Sequence, residues 1–208
     1  MHITFHAVAL GEGTGAALPP LTLAVGPGEP FVIAVETDER PLLVSMLLGG
    51  RLRPDAGTIR FDGNTDARGL RNGVALVDTP FVAEPPAGVS LASAVAEELS
   101  FTDRSTSPRA VRELLERHGL RAYIKLPIRA LPASERVRLF AELALLRPGT
   151  EALVITSPER HGAAPLGWYP ALAEIAGRGV TVVIVTDVAT SDILIRLGAR
   201  DATAVLES

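Results

Sequence analysis

Apolar residues follow two rhythms along the chain. Short runs rich in Val, Ile and Leu recur at 21–25, 31–35, 58–61, 74–77, 153–156 and 180–186. Between several of them, apolar positions return every three or four residues, the spacing of one helix face. The first two runs flank the turn Gly26-Pro27-Gly28-Glu29, and the third stops at Asp62-Gly63, so all three predict strands ended by turns. The runs at 74–77, 153–156 and 180–186 are apolar without alternation. That pattern predicts central strands of a parallel sheet covered on both faces.

The helical pattern fills the gaps. Residues 41–48 are apolar and stop at Gly49-Gly50. Ser107-Pro108 opens a segment with Val111, Leu114, Leu115 and His118 at helical spacing, closed by Gly119. Ser134 is placed to cap a helix through Leu146, ahead of Pro148. A last helix is predicted over 170–176. Strands alternating with helices predict an α/β sheet with helices on its faces. Residues 82–134 depart from that rhythm. They are helix-rich, lack a strong strand and hold a polar loop at 102–107, so we read them as a helical subdomain inserted into a single domain spanning 1–208.

Composition narrows the class. A chain of 208 residues with 47% hydrophobic and 21% charged residues is globular and large enough for a sizeable core. A net charge of −4 and a pI near 5.6 argue against a general nucleic-acid binder. The mean hydropathy of +0.28 is high, yet no apolar run approaches a membrane span and no basic-then-apolar leader opens the chain. The expectation is a cytoplasmic protein with a large core, or with an apolar face covered by a partner. There is no Cys, which excludes disulfides, thiolate metal sites and a cysteine nucleophile. There is also no Gln and a single Lys, Lys125, so most phosphate-binding lysine motifs are excluded.

Candidate chemistry is sparse. His2, His6, His118 and His161 form no recognisable metal motif and are read as structural, with His2 and His6 on an edge strand. Ser134 and Ser157 lack a nucleophile-elbow context. The stretch from Gly11 to Gly15 (GEGTG) is read as a surface turn, and the acids of 36–39 as a helix start with solvated carboxylates.

The order of several longer motifs matches one family. Leu21 to Glu29 (LTLAVGPGE) is a strand and turn, and Leu48 to Gly63 (LGGRLRPDAGTIRFDG) a helix end, loop and strand. Leu131 to Ala144 (LPASERVRLFAELA) is a loop and helix, and Val180 to Thr186 (VTVVIVT) a buried strand. In these, and in Arg112 to Leu120 (RELLERHGL), the chain resembles the nucleotide-binding domain of ATP-binding-cassette (ABC) proteins over nearly its whole length. The resemblance implies a P-loop NTPase-like core with a largely parallel sheet, an antiparallel β subdomain near the N-terminus and an inserted helical subdomain.

The resemblance also assigns positions to the family's chemistry. Counted back from Pro54-Asp55, the phosphate-loop window is 35–43. The family's lysine falls on Pro41, its Ser/Thr pair on Leu42 and Leu43, and no glycine remains. Glu36, Asp38 and Glu39 stand where phosphates would lie, with Asp38 also placed to cap the next helix. The loop glutamine falls on Thr79. The signature glycines fall on Ala133 and Ser134, the metal aspartate and catalytic glutamate on Thr156 and Ser157, and the switch histidine on Asp187. These departures touch separate parts of the reaction. They imply a degenerate ATPase-shaped domain with no catalytic residue, no bound nucleotide and no metal.

Such a domain would serve as a structural or regulatory partner of a membrane transporter subunit or of an active ABC ATPase subunit, at the inner face of the membrane through that partner. Pro80, Phe81 and Val82 border the family's groove for a membrane-subunit helix, and Trp168 and Tyr169 lie in its dimer-contact region; both sets are candidate docking residues, with core packing the competing role. Two alternatives stand beside this reading. One is an active ATP-binding subunit that holds ATP and Mg²⁺ through unusual residues or a partner's site, with Arg40 or Arg51 as the phosphate-binding cation. The other is a soluble, transporter-independent binding protein, for instance a homodimer.

Overall fold

The computed structural model describes residues 1–35 and 40–203. Two sheets organise them. A three-stranded antiparallel sheet has the order β2-β1-β4, formed by β1 (Ile3–Leu10), β2 (Leu18–Val25) and β4 (Ala56–Phe61). A five-stranded parallel sheet has the order β5-β6-β7-β3-β8, formed by β3 (Phe31–Ala34), β5 (Val74–Val77), β6 (Ala152–Thr156), β7 (Thr181–Thr186) and β8 (Arg200–Asp201). The α/β fold class and the parallel sheet are therefore as the apolar runs indicate.

Alternation inside those runs divides the core in two. Val77, Leu153, Ile155, Val182 and Ile184 join one apolar cluster with the helices α3 (Leu91–Ser100), α4 (Pro108–Arg117), α5 (Ala133–Ala144) and α6 (Pro165–Gly177). Leu76, Val154, Val183 and Val185 join the other, with the antiparallel sheet, α1 (Arg40–Leu48) and α2 (Ala67–Gly73). Each strand thus feeds both faces, so continuous apolar sequence is what the position demands. The final helix, α7 (Val188–Arg196), packs against β3.

Between β5 and α5 the chain carries α3, α4 and short 3₁₀ turns, with no named strand among the described residues. Ser107 caps α4 by accepting from Ala110 N, with Pro108 in the first turn.

The structure corrects several local expectations. β1 lies between β2 and β4, so it is not an edge strand; His6 projects from its solvent face and His2 precedes it. Ser134 does not cap α5. The helix begins at Ala133 with Pro132 before it, and no side chain caps that end. α6 begins at Pro165, five residues before the expected start. Pro165 takes the favoured first-turn position and Pro170 sits inside the helix. Gly57 has a structural reason: at φ +80 it lies against β1, where a Cβ would meet Ala7 O at 2.2 Å.

Candidate functional site

The ends of β5, β6 and β7 converge on a set of polar side chains. Thr156, the last residue of β6, is 1% exposed. Its hydroxyl donates to Ser45 Oγ on α1 at 2.8 Å and lies 2.9 Å from Thr79 Oγ1. Thr156 of β6 therefore links two further buried hydroxyls, one from α1 and one from the loop after β5. Such groups are costly to bury singly and nearly neutral when mutually paired.

The turn after β5 is held tightly. Thr79 O accepts from the amides of Val82, Ala83 and Glu84. Three residues near this strand end adopt left-handed backbone without being glycine: Asp78 (φ 51), Phe81 (φ 60) and Ser157 (φ 45). Such backbone costs about 1 kcal/mol or more per residue and persists where surrounding bonds fix it. One result is Phe81, whose side chain stands 97% exposed.

Asp78 anchors a buried charge network. Arg136 of α5 grips it with two bonds, Nε to Oδ2 and Nη2 to Oδ1, both 2.7 Å. His161 Nε2 lies 2.8 Å from Asp78 Oδ2. Arg160 Nη2 lies 3.6 Å from Asp78 and 3.5 Å from Glu84, and its guanidinium also donates to the backbone oxygens of Thr156 and Asp78. Burial alone would push the Asp78 carboxyl up, but the bonds from Arg136 and the His161 ring beside it hold it at about 2. Asp78, Glu84 and His161 are close enough to share a cation. Both carboxylates already face Arg136 and Arg160, so two guanidiniums answer two negative charges and we assign the group to ion pairing.

A cleft of about 360 Å³ opens beside this network, walled by Pro41 and Leu42 of α1, Pro80, Phe81, Glu159 and Asp187 among others. Asp187 caps α7, its Oδ1 accepting from Thr190 N at 2.7 Å. Burial pushes the Glu159 carboxyl up and nearby Asp187 adds to the shift. No family model and no curated protein matches the sequence. Solved structures do match. An ABC transporter ATP-binding protein from Pyrococcus furiosus superposes with a TM-score of 0.66 at 15% identity, over 90% of this chain and 92% of its own. CbiO1 from Clostridium perfringens, part of an ABC transporter complex, gives 0.61 at 19% identity, over 89% and 78%. A bacterial ABC transporter cassette solved as a dimer gives 0.67 at 16% identity, over 91% and 90%.

The chain has the ATP-binding-cassette fold.

Within the cassette fold, the structure brings together several residues singled out from sequence. Pro41, Leu42, Pro80, Phe81, Thr156, Ser157 and Asp187 line one cleft, with Thr79 bonded to Thr156 behind it. Ala133 and Ser134 lie apart from that lining, in the first turn of α5. Leu43 is partly buried against the core that α1 shares with the antiparallel sheet. Glu36 and Asp38, with the rest of 36–39, lie outside the described residues.

Two expectations are corrected. Trp168 is 0% exposed and Tyr169 6%, both in the core under α6, so neither presents a docking surface. The indole nitrogen of Trp168 donates to Ala163 O, as a buried aromatic with a polar edge requires. Arg51 is not placed to reach a phosphate at the start of α1. It sits beyond the C-terminal end of that helix, donating to Gly49 O at 2.8 Å and Val74 O at 3.3 Å. Arg40 Nε donates to Ala17 O at 3.2 Å.

The Asp78 network was missed from sequence. A signal for it exists: Arg136 shares the i, i+3, i+4, i+7 face of Leu139, Phe140 and Leu143, all buried. A charged residue on a core face demands a buried counter-charge.

Proposed function

We propose that the protein is a cassette-fold pseudo-ATPase that acts through protein contacts and does not bind Mg-nucleotide in the family's way. One observation carries this reading. The Thr156 hydroxyl bonds both Ser45 and Thr79 at the strand end where the resemblance places the metal aspartate. A hydroxyl engaged in that way is a poor substitute for a carboxylate ligand to Mg²⁺. The surrounding residues support the reading. Pro41 and Leu42 supply no cation or hydroxyl at the start of α1, Ser157 offers no carboxylate, and Asp187 is engaged as a helix cap. The donor set does not fit Mg-ATP, so no hydrolytic step is assigned.

The partner is proposed to be a membrane transporter subunit or an active cassette subunit, reached through Phe81 and Val82. Both are exposed, at 97% and 43%, and a rigid apolar tip on a tight turn suits an anchor in a partner's pocket. On this reading the protein sits at the inner face of a membrane through its partner; no helix among the described residues is long and apolar enough to cross one. A homodimer is the competing assembly.

Titration calorimetry with Mg-ATP is the test. No saturable heat at millimolar nucleotide is the expected result. Saturable binding at micromolar affinity overturns the pseudo-ATPase reading and revives an active subunit with unusual residues.

A further inference from the structure

A second cleft, of about 740 Å³, lies at the other end of α1. Its walls are the loop from Gly50 to Asp55, the β4 strand and the start of α2. Leu52, Ile59, Phe61 and Leu70 give it an apolar floor, while Arg51, Arg53 and Arg71 supply positive charge.

What distinguishes this cleft is how its charges are answered. Two carboxylates line it, and both serve the backbone. Asp55 Oδ2 accepts from Gly11 N at 2.8 Å. Asp66 caps α2, accepting from Arg68 N at 3.0 Å and Gly69 N at 2.9 Å. Among the described residues, none of Arg51, Arg53 and Arg71 lies in a salt bridge with either carboxylate or with any other. The nearby Arg147 is different, since Glu98 pairs with it at 2.6 Å.

Arg51 and Arg71 are held in place rather than neutralised. Arg51 Nη1 donates to Gly49 O and Val74 O, and Arg71 Nη1 donates to Gly50 O at 3.0 Å. These bonds satisfy two carbonyls just beyond the C-terminal end of α1 and one at the start of β5. Each uses one nitrogen of a fork that offers several donors. Burial first, then the charges of Arg147 and Arg71, lower the Arg51 guanidinium from its ordinary value. Three arginines against two aspartates give the cleft an excess of positive charge, in a chain whose net charge is −4.

We propose that this cleft binds a phosphate carried on an apolar body, specifically the head group and proximal acyl carbons of an anionic phospholipid. Guanidinium forks match phosphate oxygens in pairs, and three of them suit a doubly charged group better than a single carboxylate. The apolar floor beside them favours a ligand whose phosphate continues into hydrocarbon. The two guanidiniums fixed on backbone carbonyls are preorganised, so little ordering opposes binding. The site is independent of the cleft at the end of β6 and shares no residue with it.

The test titrates the full chain with dioctanoyl phosphatidate below its micelle concentration, beside inorganic phosphate and dioctanoylglycerol. Binding is followed by amide chemical shifts. Saturable binding of phosphatidate is expected, about tenfold tighter than inorganic phosphate, with no binding of dioctanoylglycerol. Arg53→Glu is expected to weaken phosphatidate binding at least about tenfold, and Arg53→Lys by less. Arg53 is exposed, so thermal unfolding of both variants is expected to match the parent and to separate lost binding from lost folding. Equal affinity for phosphate and phosphatidate overturns the lipid assignment. Binding of dioctanoylglycerol as tight as phosphatidate overturns phosphate recognition. An unchanged affinity in Arg53→Glu overturns the site.

Discussion

Two groups of arginines in this molecule are used in opposite ways. Around Asp78, Arg136 and Arg160 meet two carboxylates within ion-pair distance, the His161 imidazole lies against Asp78, and the centre of the group is buried. Around the cleft at the end of α1, Arg51, Arg53 and Arg71 share the space with two carboxylates that are turned to backbone amides. The first group closes on itself and ties α5 to the end of β5 and to the 3₁₀ turn Pro158–His161. The second leaves donors facing solvent. Counting arginines and acids would not separate the two; where the carboxylate oxygens are engaged does. A balanced buried cluster reads as structure, and an unbalanced open one as a place for a ligand.

The sharpest way to break this contrast is Arg136→Ala. It leaves Asp78 buried without its fork, and a loss of about 3–5 kcal/mol in urea unfolding is expected. Arg136→Met combined with Asp78→Asn, which keeps a side chain suited to the left-handed backbone of residue 78, is expected to recover part of that loss, because both charges leave together. Acid titration of stability gives a smaller effect. The Asp78 carboxyl titrates at about 2 in the folded chain against 3.8 ordinarily. Its contribution, about 2 kcal/mol, is present above about pH 4 and is lost as pH falls through about 2. Chemical denaturation at a series of pH values checks this, and the Asp78→Asn, Arg136→Met pair should lack that acid limb.

Thr156→Val isolates the hydroxyl set from the charge network. It removes one partner from each of Ser45 and Thr79, and a loss of about 1–3 kcal/mol is expected in the same unfolding assay. The smallest effects on stability belong to the exposed sites. Arg53→Glu and Phe81→Ser are each expected to stay within about 0.5 kcal/mol of the parent. Arg53→Glu should change phosphatidate affinity alone. Phe81→Ser should abolish co-purification with a membrane or cassette partner, and retained co-purification would remove Phe81 as the anchor.

The sheet was legible because each buried strand carries its signal locally. Residues 74–77 form β5 to the residue, and the runs ending at Thr156 and Thr186 end β6 and β7 at those positions. β8 was not legible, since Arg200–Asp201 is two polar residues that pair with β3 after a long detour in sequence. The start of α6 was misread because Pro170 resembles a helix start, while Pro165 holds that place in the fold. Trp168 looked available for docking because aromatic type says nothing about which side of a helix faces the sheet. The candidate positions were legible as a list: Thr156 and Asp187 line one cleft, and Thr79 is bonded to Thr156 behind it. Their bonding was not. Asp78 and Arg136 are 58 positions apart and Ser45 and Thr156 are 111 apart, so no local pattern couples them.

The strand order has a consequence for synthesis. The antiparallel sheet can close once the chain reaches Phe61, because β1, β2 and β4 are all made by then. β3 is different: its neighbours are β7 and β8, which begin at Thr181 and Arg200. A strand translated near residue 31 therefore waits through most of the chain before either edge is paired. Pairings of such long sequence separation form slowly and leave apolar edges open to association in the meantime. On a ribosome, this fold would present an early folded sheet joined to a strand still waiting for its partners, and chains released before Thr186 would keep that edge exposed.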